Sequence, residues 1–135
     1  MTAVFADTSF FAAILNDRDS LHSIAREAAA REVEFRLTTE FILLEVANFC
    51  TRESQRAVFA EQVANLKRAA IIEIVLASHD LFECGLSLFF SRPDKDWSLT
   101  DCTSFIVMQD RGSTGSLTSD HHFEQAGFVA LLRRE

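Results

Sequence analysis

Four acidic residues, Asp7, Glu45, Asp101 and Asp120, stand where a carboxylate needs a partner. Asp101 lies at the junction between a charged loop, Arg92-Pro93-Asp94-Lys95-Asp96-Trp97-Ser98, and the apolar segment 102–108. Ser98 or Thr100 can cap a helix beginning there, which puts Asp101 in the first turn, where the helix dipole favours a negative charge. Helical spacing from Leu99 through Thr103, Ile106, Val107 and Asp110 marks one face as buried. A charge at the rim of a buried helix is costly unless paired. Asp7 directly follows the apolar run Ala3 to Ala6, Asp120 follows the short run Thr114 to Thr118, and Glu45 is flanked by Ile42, Leu43, Val46 and Ala47. Oxygen-only carboxylate clusters suit Mg²⁺ or Mn²⁺. Carboxylates gathered without a cation repel and raise one another's pKa, so an ion is the natural resolution. A hard cation so held can activate water and neutralise charge building on a phosphate. Singly, each acid also has a plainer reading, with Asp7 as a helix cap and Glu45 as a half-exposed boundary residue.

Rival chemistries find less support. Zinc wants His or Cys at fixed spacing; His121 and His122 are adjacent, so both cannot easily face one ion, and no cysteine is near them. His121 is read as solvent-facing, as are His22 and His79. The four glycines, Gly85, Gly112, Gly115 and Gly127, form no phosphate loop, and no serine sits in a G-x-S-x-G setting. An aspartyl-phosphate enzyme of the D-x-D kind would need an acid where this chain has Ser9. Cys50, Cys84 and Cys102 are scattered, which reads as buried free thiols in a reducing cytoplasm. The formal net charge of −7 argues against a simple nucleic-acid clamp. It weighs little against a metal-dependent nuclease, in which the ion meets the phosphate.

The elements that must position these acids alternate. Ala3 to Ala6 reads as a strand, followed by a helix capped by Thr8 or Ser9 with Phe10, Phe11, Ile14 and Leu15 inward. Ser20 opens a second helix to about Arg31; 34–38 is a second strand; Thr38-Thr39-Glu40 opens a helix carrying Glu45, with Asn48 one turn on and able to orient it. Residues 52–69 form a polar helix with Val58, Val63 and Leu66 inward, and 71–75 is a β-branched strand. Ser78 caps a helix to about Phe90 whose apolar face is Leu81, Phe82, Gly85, Leu88 and Phe89. After the charged loop, where Trp97 is expected against the sheet edge or a second subunit, a helix over 99–111 ends at Gly112. Strands over 114–118 and 127–132 follow. At 135 residues this is one domain, 1–135, in which strands alternating with helices predict a parallel sheet covered on both faces, an α/β fold built as a three-layer α/β/α sandwich. The first residues carry no basic stretch before their apolar patch and no run approaches the ~20 apolar residues of a membrane span, so neither a signal peptide nor a membrane partner is expected.

Asp7-Thr8-Ser9 after the first strand, 39–45 ending in Glu45, Leu99-Thr100-Asp101-Cys102, and Thr118-Ser119-Asp120-His121-His122-Phe123 together resemble a PIN domain, most closely the small bacterial VapC-like proteins. The resemblance covers the whole chain, in order and spacing. It implies a sheet of order 3-2-1-4-5 and an Mg²⁺- or Mn²⁺-dependent ribonuclease, usually a homodimer, with RNA as substrate. The family's acids fall on Asp7, Glu45, Asp101 and Asp120, and its small hydroxyl residues on Thr8 or Ser9, with Ser119 beside the last acid. Many relatives carry a second acid shortly after the last one, where this chain reads His121-His122-Phe123-Glu124. Many are toxins held inactive by a small antitoxin protein. The competing expectation, from another functional class, is a PIN-fold interaction module that has lost its chemistry.

Overall fold

Local signals place the elements, and the sheet then gathers them. The computed structural model describes residues 3–31, 35–69 and 71–133. In chain order it contains β1 (Val4–Ala6), α1 (Thr8–Leu15), α2 (His22–Ala29), β2 (Arg36–Thr39), α3 (Glu40–Phe49), α4 (Glu53–Arg68), β3 (Ile72–Val75), α5 (His79–Ser91), α6 (Leu99–Arg111), β4 (Gly115–Leu117), α7 (His121–Gln125) and β5 (Val129–Ala130). The strands form one sheet of order β3-β2-β1-β4-β5, and every neighbouring pair is parallel. The expected three-layer α/β/α arrangement is the one adopted. Because all strands run the same way, β1, β2 and β4 deliver their following residues, Asp7, Glu40 and Thr118, to one end of the sheet.

The core is aromatic and aliphatic. Phe5, Phe11, Leu37, Ile42, Met108, Leu117, Phe123 and Leu132 are fully buried. Phe105 packs edge-on to Phe123 at 5.0 Å and to Trp97 at 5.0 Å, joining α6 to α7. Trp97 is therefore an internal residue: its ring is buried and its Nε1–H donates to Gln125 Oε1 at 3.0 Å. The expectation that it meets the sheet edge or a second subunit is corrected, because the α6–α7 packing leaves an aromatic slot there.

Other expectations shift for physical reasons. α1 begins at Thr8, with Asp7 in the cap position, because the extended backbone of β1 runs straight into the helix. α2 begins at His22 rather than Ser20, and Asp19 Oδ1 accepts from Leu21 N at 2.8 Å to close the preceding turn. β2 runs one residue further than expected, to Thr39, which then caps α3 by accepting from Ile42 N; Glu34 lies outside the described residues. β3, β4 and β5 are shorter than read, and β5 spans only Val129–Ala130. Val58, Phe82 and Phe89 are exposed, because α4 and α5 pack by narrower stripes than their apolar residues suggest. Asp110 is exposed and leaves the buried face of α6 one turn early. Cys84 is exposed, while Cys50 and Cys102 are buried thiols as expected. His22 is half-buried, its Nδ1 lying 2.7 Å from Ala13 O, so it joins α2 to α1 rather than facing solvent.

Candidate active site

Asp7 leaves β1 with extended backbone (φ −90°, ψ 168°), and its carbonyl accepts from Phe10 N at 3.1 Å. Its carboxylate makes no capping bond to α1. Instead, Thr118 Oγ1 donates to Asp7 Oδ2 at 2.8 Å, and Ser9 Oγ donates to the same oxygen at 3.4 Å. The plainer reading of Asp7 as a side-chain cap is thereby overturned. Asp7 is 6% exposed, and burial pushes its carboxyl up to about 7 despite the hydrogen bond from Thr118. The neighbouring charges of Asp101 and Glu45 push it in the same direction. Among the described residues no lysine or arginine is ion-paired with it.

Asp101 occupies the third position of α6, where it completes a reciprocal cap. Ser98 Oγ accepts from Asp101 N at 3.0 Å, and Asp101 Oδ2 accepts from Ser98 N at 3.1 Å. The cap fixes the carboxylate at the mouth of the sheet. Its pKa is raised, first by burial and then by the charge of Asp120, against the lowering effects of Ser98 N–H and His122. Asp120 caps α7 by accepting from His122 N at 2.9 Å, and its own N–H donates to Thr118 Oγ1 at 3.0 Å. Thr118 thus joins Asp7 to the backbone of Asp120 through one hydroxyl.

Glu45 reaches the site from α3. Thr8 Oγ1 donates to Glu45 Oε1 at 2.6 Å, which ties α3 to the start of α1. Asn48, expected to orient Glu45, is exposed, and the orienting hydrogen bond comes from Thr8. Of the other small residues, Ser9 Oγ also lies 3.2 Å from Thr118 Oγ1, within reach of its single proton as an alternative to Asp7, and Ser119 takes part through its backbone N–H, which donates to Ser9 Oγ at 3.3 Å. Ser9, Thr118 and Ser119 thus join Asp7 to the backbone of Asp120, while Thr8, the next residue after Asp7, holds Glu45.

Two further residues belong to this network and were not singled out from sequence. Thr118 is one. The other is His122, whose Nδ1 lies 3.2 Å from Asp101 Oδ2 and 3.2 Å from Asp120 Oδ1. The available signal was position: each stands two residues from Asp120, within reach of its backbone or carboxylate. Adjacency does not separate the two histidines as expected, since Asp120, His121 and His122 present ligand atoms all within 4.8 Å of one another. His121 itself is solvent-facing, as read.

The donors fit a divalent cation. Asp7 and Asp101, both raised by burial and by a neighbouring carboxylate, with no paired lysine or arginine among the described residues, are poised to accept positive charge. Their oxygens are the hard donors that Mg²⁺ and Mn²⁺ prefer.

A family model described as "PIN domain" matches residues 4–129. The chain is 32% identical over 129 residues to the 23S rRNA-specific endonuclease VapC20 of two Mycobacterium tuberculosis strains, CDC 1551 / Oshkosh and ATCC 25618 / H37Rv. That alignment covers 95% of this chain and 97% of the relative. The crystal structure of Mycobacterium tuberculosis VapC20, a sarcin–ricin loop cleaving toxin, superposes with a TM-score of 0.82 at 27% identity, covering 94% of this chain and 97% of that one.

Proposed function

The chain belongs to the PIN-domain family, and from that premise we propose that it is a divalent-metal-dependent endoribonuclease, the toxin of a toxin–antitoxin pair. The observation that carries the reading is the buried, like-charged carboxylate network around Asp7, on a fold shared along nearly its full length with an RNA endonuclease. Asp7, Asp101 and Asp120 hold an Mg²⁺ or Mn²⁺ ion, and Glu45 holds it too or positions the attacking water. Such an ion supplies charge neutralisation at the scissile phosphate and a more acidic water.

The remaining groups keep these carboxylates in place. Thr8 fixes one oxygen of Glu45, which leaves the other free to engage the ion or the attacking water. Thr118 and Ser9 hold Asp7 Oδ2, and Thr118 also fixes the backbone of Asp120. The Ser98 cap prevents Asp101 from rotating away. This preorganisation spares the site from ordering four like charges at each turnover.

The first RNA to test is ribosomal, because the relative acts on 23S rRNA. Purified protein incubated with ribosomes and Mn²⁺ is expected to give a discrete rRNA fragment, and Asp7→Asn and Asp101→Asn are expected to give none. Cleavage unchanged in both variants would overturn the assignment of the site. No cleavage of any RNA by the wild type, with or without metal, would favour the interaction module. A cytoplasmic homodimer restrained by a small antitoxin completes the proposal. Among the described residues no helix is long and apolar enough to cross a membrane.

A further inference from the structure

Between α6 and α7, a nitrogen faces two carboxylate oxygens. His122 Nδ1 stands 3.2 Å from Asp101 Oδ2 and 3.2 Å from Asp120 Oδ1, and its side chain is 19% exposed. The ring is held from behind by the chain itself, since His122 N donates to Asp120 Oδ1 at 2.9 Å and Phe123 beside it is fully buried. Asp101 Oδ2 is held as well, by the N–H of Ser98. His122 Nδ1 therefore stands within 3.2 Å of one oxygen of each of two fixed carboxylates. A single imidazole N–H cannot satisfy two carboxylates at once with good geometry. A small divalent cation can do so. With bonds of about 2.0–2.2 Å, neighbouring donors in its shell lie roughly 3 Å apart, close to the separation of His122 Nδ1 from each carboxylate.

We infer that His122 is a nitrogen ligand of the cation held by Asp101 and Asp120. The inference rests on the metal-dependent reading above and refines it. Ligation through Nδ1 places the ring proton on Nε2. A nitrogen in the shell also sets the class of ion. Imidazole suits the later first-row transition ions best; Mn²⁺, the weakest binder of that series, still accepts nitrogen more readily than Mg²⁺ does, so a nitrogen in the shell tilts the site from Mg²⁺ toward Mn²⁺. His121 is not part of the set: its Nδ1 is 3.7 Å from Asp120 Oδ1, and its side chain is 61% exposed.

Activity alone does not separate a ligand from a residue that merely braces the two carboxylates, so the test reads the ion directly. Mn²⁺ is titrated into the wild-type protein, and the bound ion is examined by electron spin-echo envelope modulation. The expected result is modulation from a directly bonded ¹⁴N, which is lost in His122→Gln and kept in His121→Gln. Mn²⁺ affinity should fall about ten- to a hundredfold in His122→Gln, against less than about threefold for Mg²⁺. Mn²⁺ bound to the wild type without ¹⁴N modulation would overturn the inference and leave the metal site standing. Modulation that survives in a folded His122→Gln would do the same. A wild type that binds no Mn²⁺ would overturn both the inference and the reading beneath it. The wild-type spectrum decides even if the variant does not fold.

Discussion

At the scale of single residues, Asp7 links stability to the proposed function. Its carboxyl ordinarily titrates near 3.8 and is pushed up to about 7, chiefly by burial. Between those values the folded state binds a proton that the unfolded chain has released, so the metal-free protein loses stability as pH rises from about 4 to 7 and the loss is complete above that. Asp7→Asn removes the buried charge and keeps an oxygen for Thr118 to donate to. Without metal, the variant is expected to melt higher than the wild type at pH 8, by at least about 1.4 kcal/mol, the worth of one pKa unit. The gap should narrow as pH falls below 7 and close only near pH 4, and scanning calorimetry at pH 8 and pH 4 checks this. Thr118→Val breaks the bond to Asp7 and orphans the N–H of Asp120, which should cost about 1–3 kcal/mol in urea unfolding at pH 8. That the four acids would lie near the ends of apolar elements was legible in sequence, because each interrupts, follows or directly precedes one. Thr118 and His122 were not, because what they touch is decided by the fold: Thr118 and its partner Asp7 are 111 residues apart.

At the scale of elements, α6 was read to its last residue because both its ends carry local signals. Ser98 and Asp101 build the entry cap, and Gly112 takes the left-handed conformation (φ 65°) that ends the helix. The same cap that starts the helix fixes the carboxylate of Asp101 in the candidate site, so a folding signal and a proposed functional one coincide in one residue pair. α1 and α2 lack such entry signals, and their starts were misplaced by one or two positions. The α5–α6 packing also has a sequence trace that spacing alone does not explain. Gly85 is buried against α6, and a Cβ there would lie 2.6 Å from Thr103 Cγ2. Gly85→Ala therefore forces the two helices apart or Thr103 out of its rotamer, and overpacking of this kind costs about 1–3 kcal/mol. Denaturant unfolding measures that loss, and the paired variant Gly85→Ala with Thr103→Ser should recover part of it. Because Thr103 is two residues from Asp101, the single variant should also weaken Mn²⁺ binding.

At the scale of the whole molecule, alternation of strands and helices was enough to give the layers, but not the strand order. Nothing local in Val4–Ala6 says that it pairs with β2 on one side and β4 on the other. That order came from the resemblance, and it is what makes a site of residues spread from position 7 to position 120. On the proposed reading, the stability of this fold is tied to its ligand. Without a cation, the sheet's central strand ends in a buried carboxylate beside two others. With one bound, the same cluster becomes a source of stability, by about 2.7 kcal/mol at a hundredfold excess over Kd, or roughly 5–10 °C for a chain of this size. The two effects have opposite signs for Asp7→Asn, so a crossing is expected at pH 8. The variant should melt above the wild type in chelator and below it in saturating Mn²⁺, while His121→Gln should track the wild type in both. A mere loss of packing at Asp7 would lower the variant in both conditions, and an acid cluster indifferent to metal would leave it higher in both. Only a cluster that the fold tolerates for the sake of an ion reverses the order.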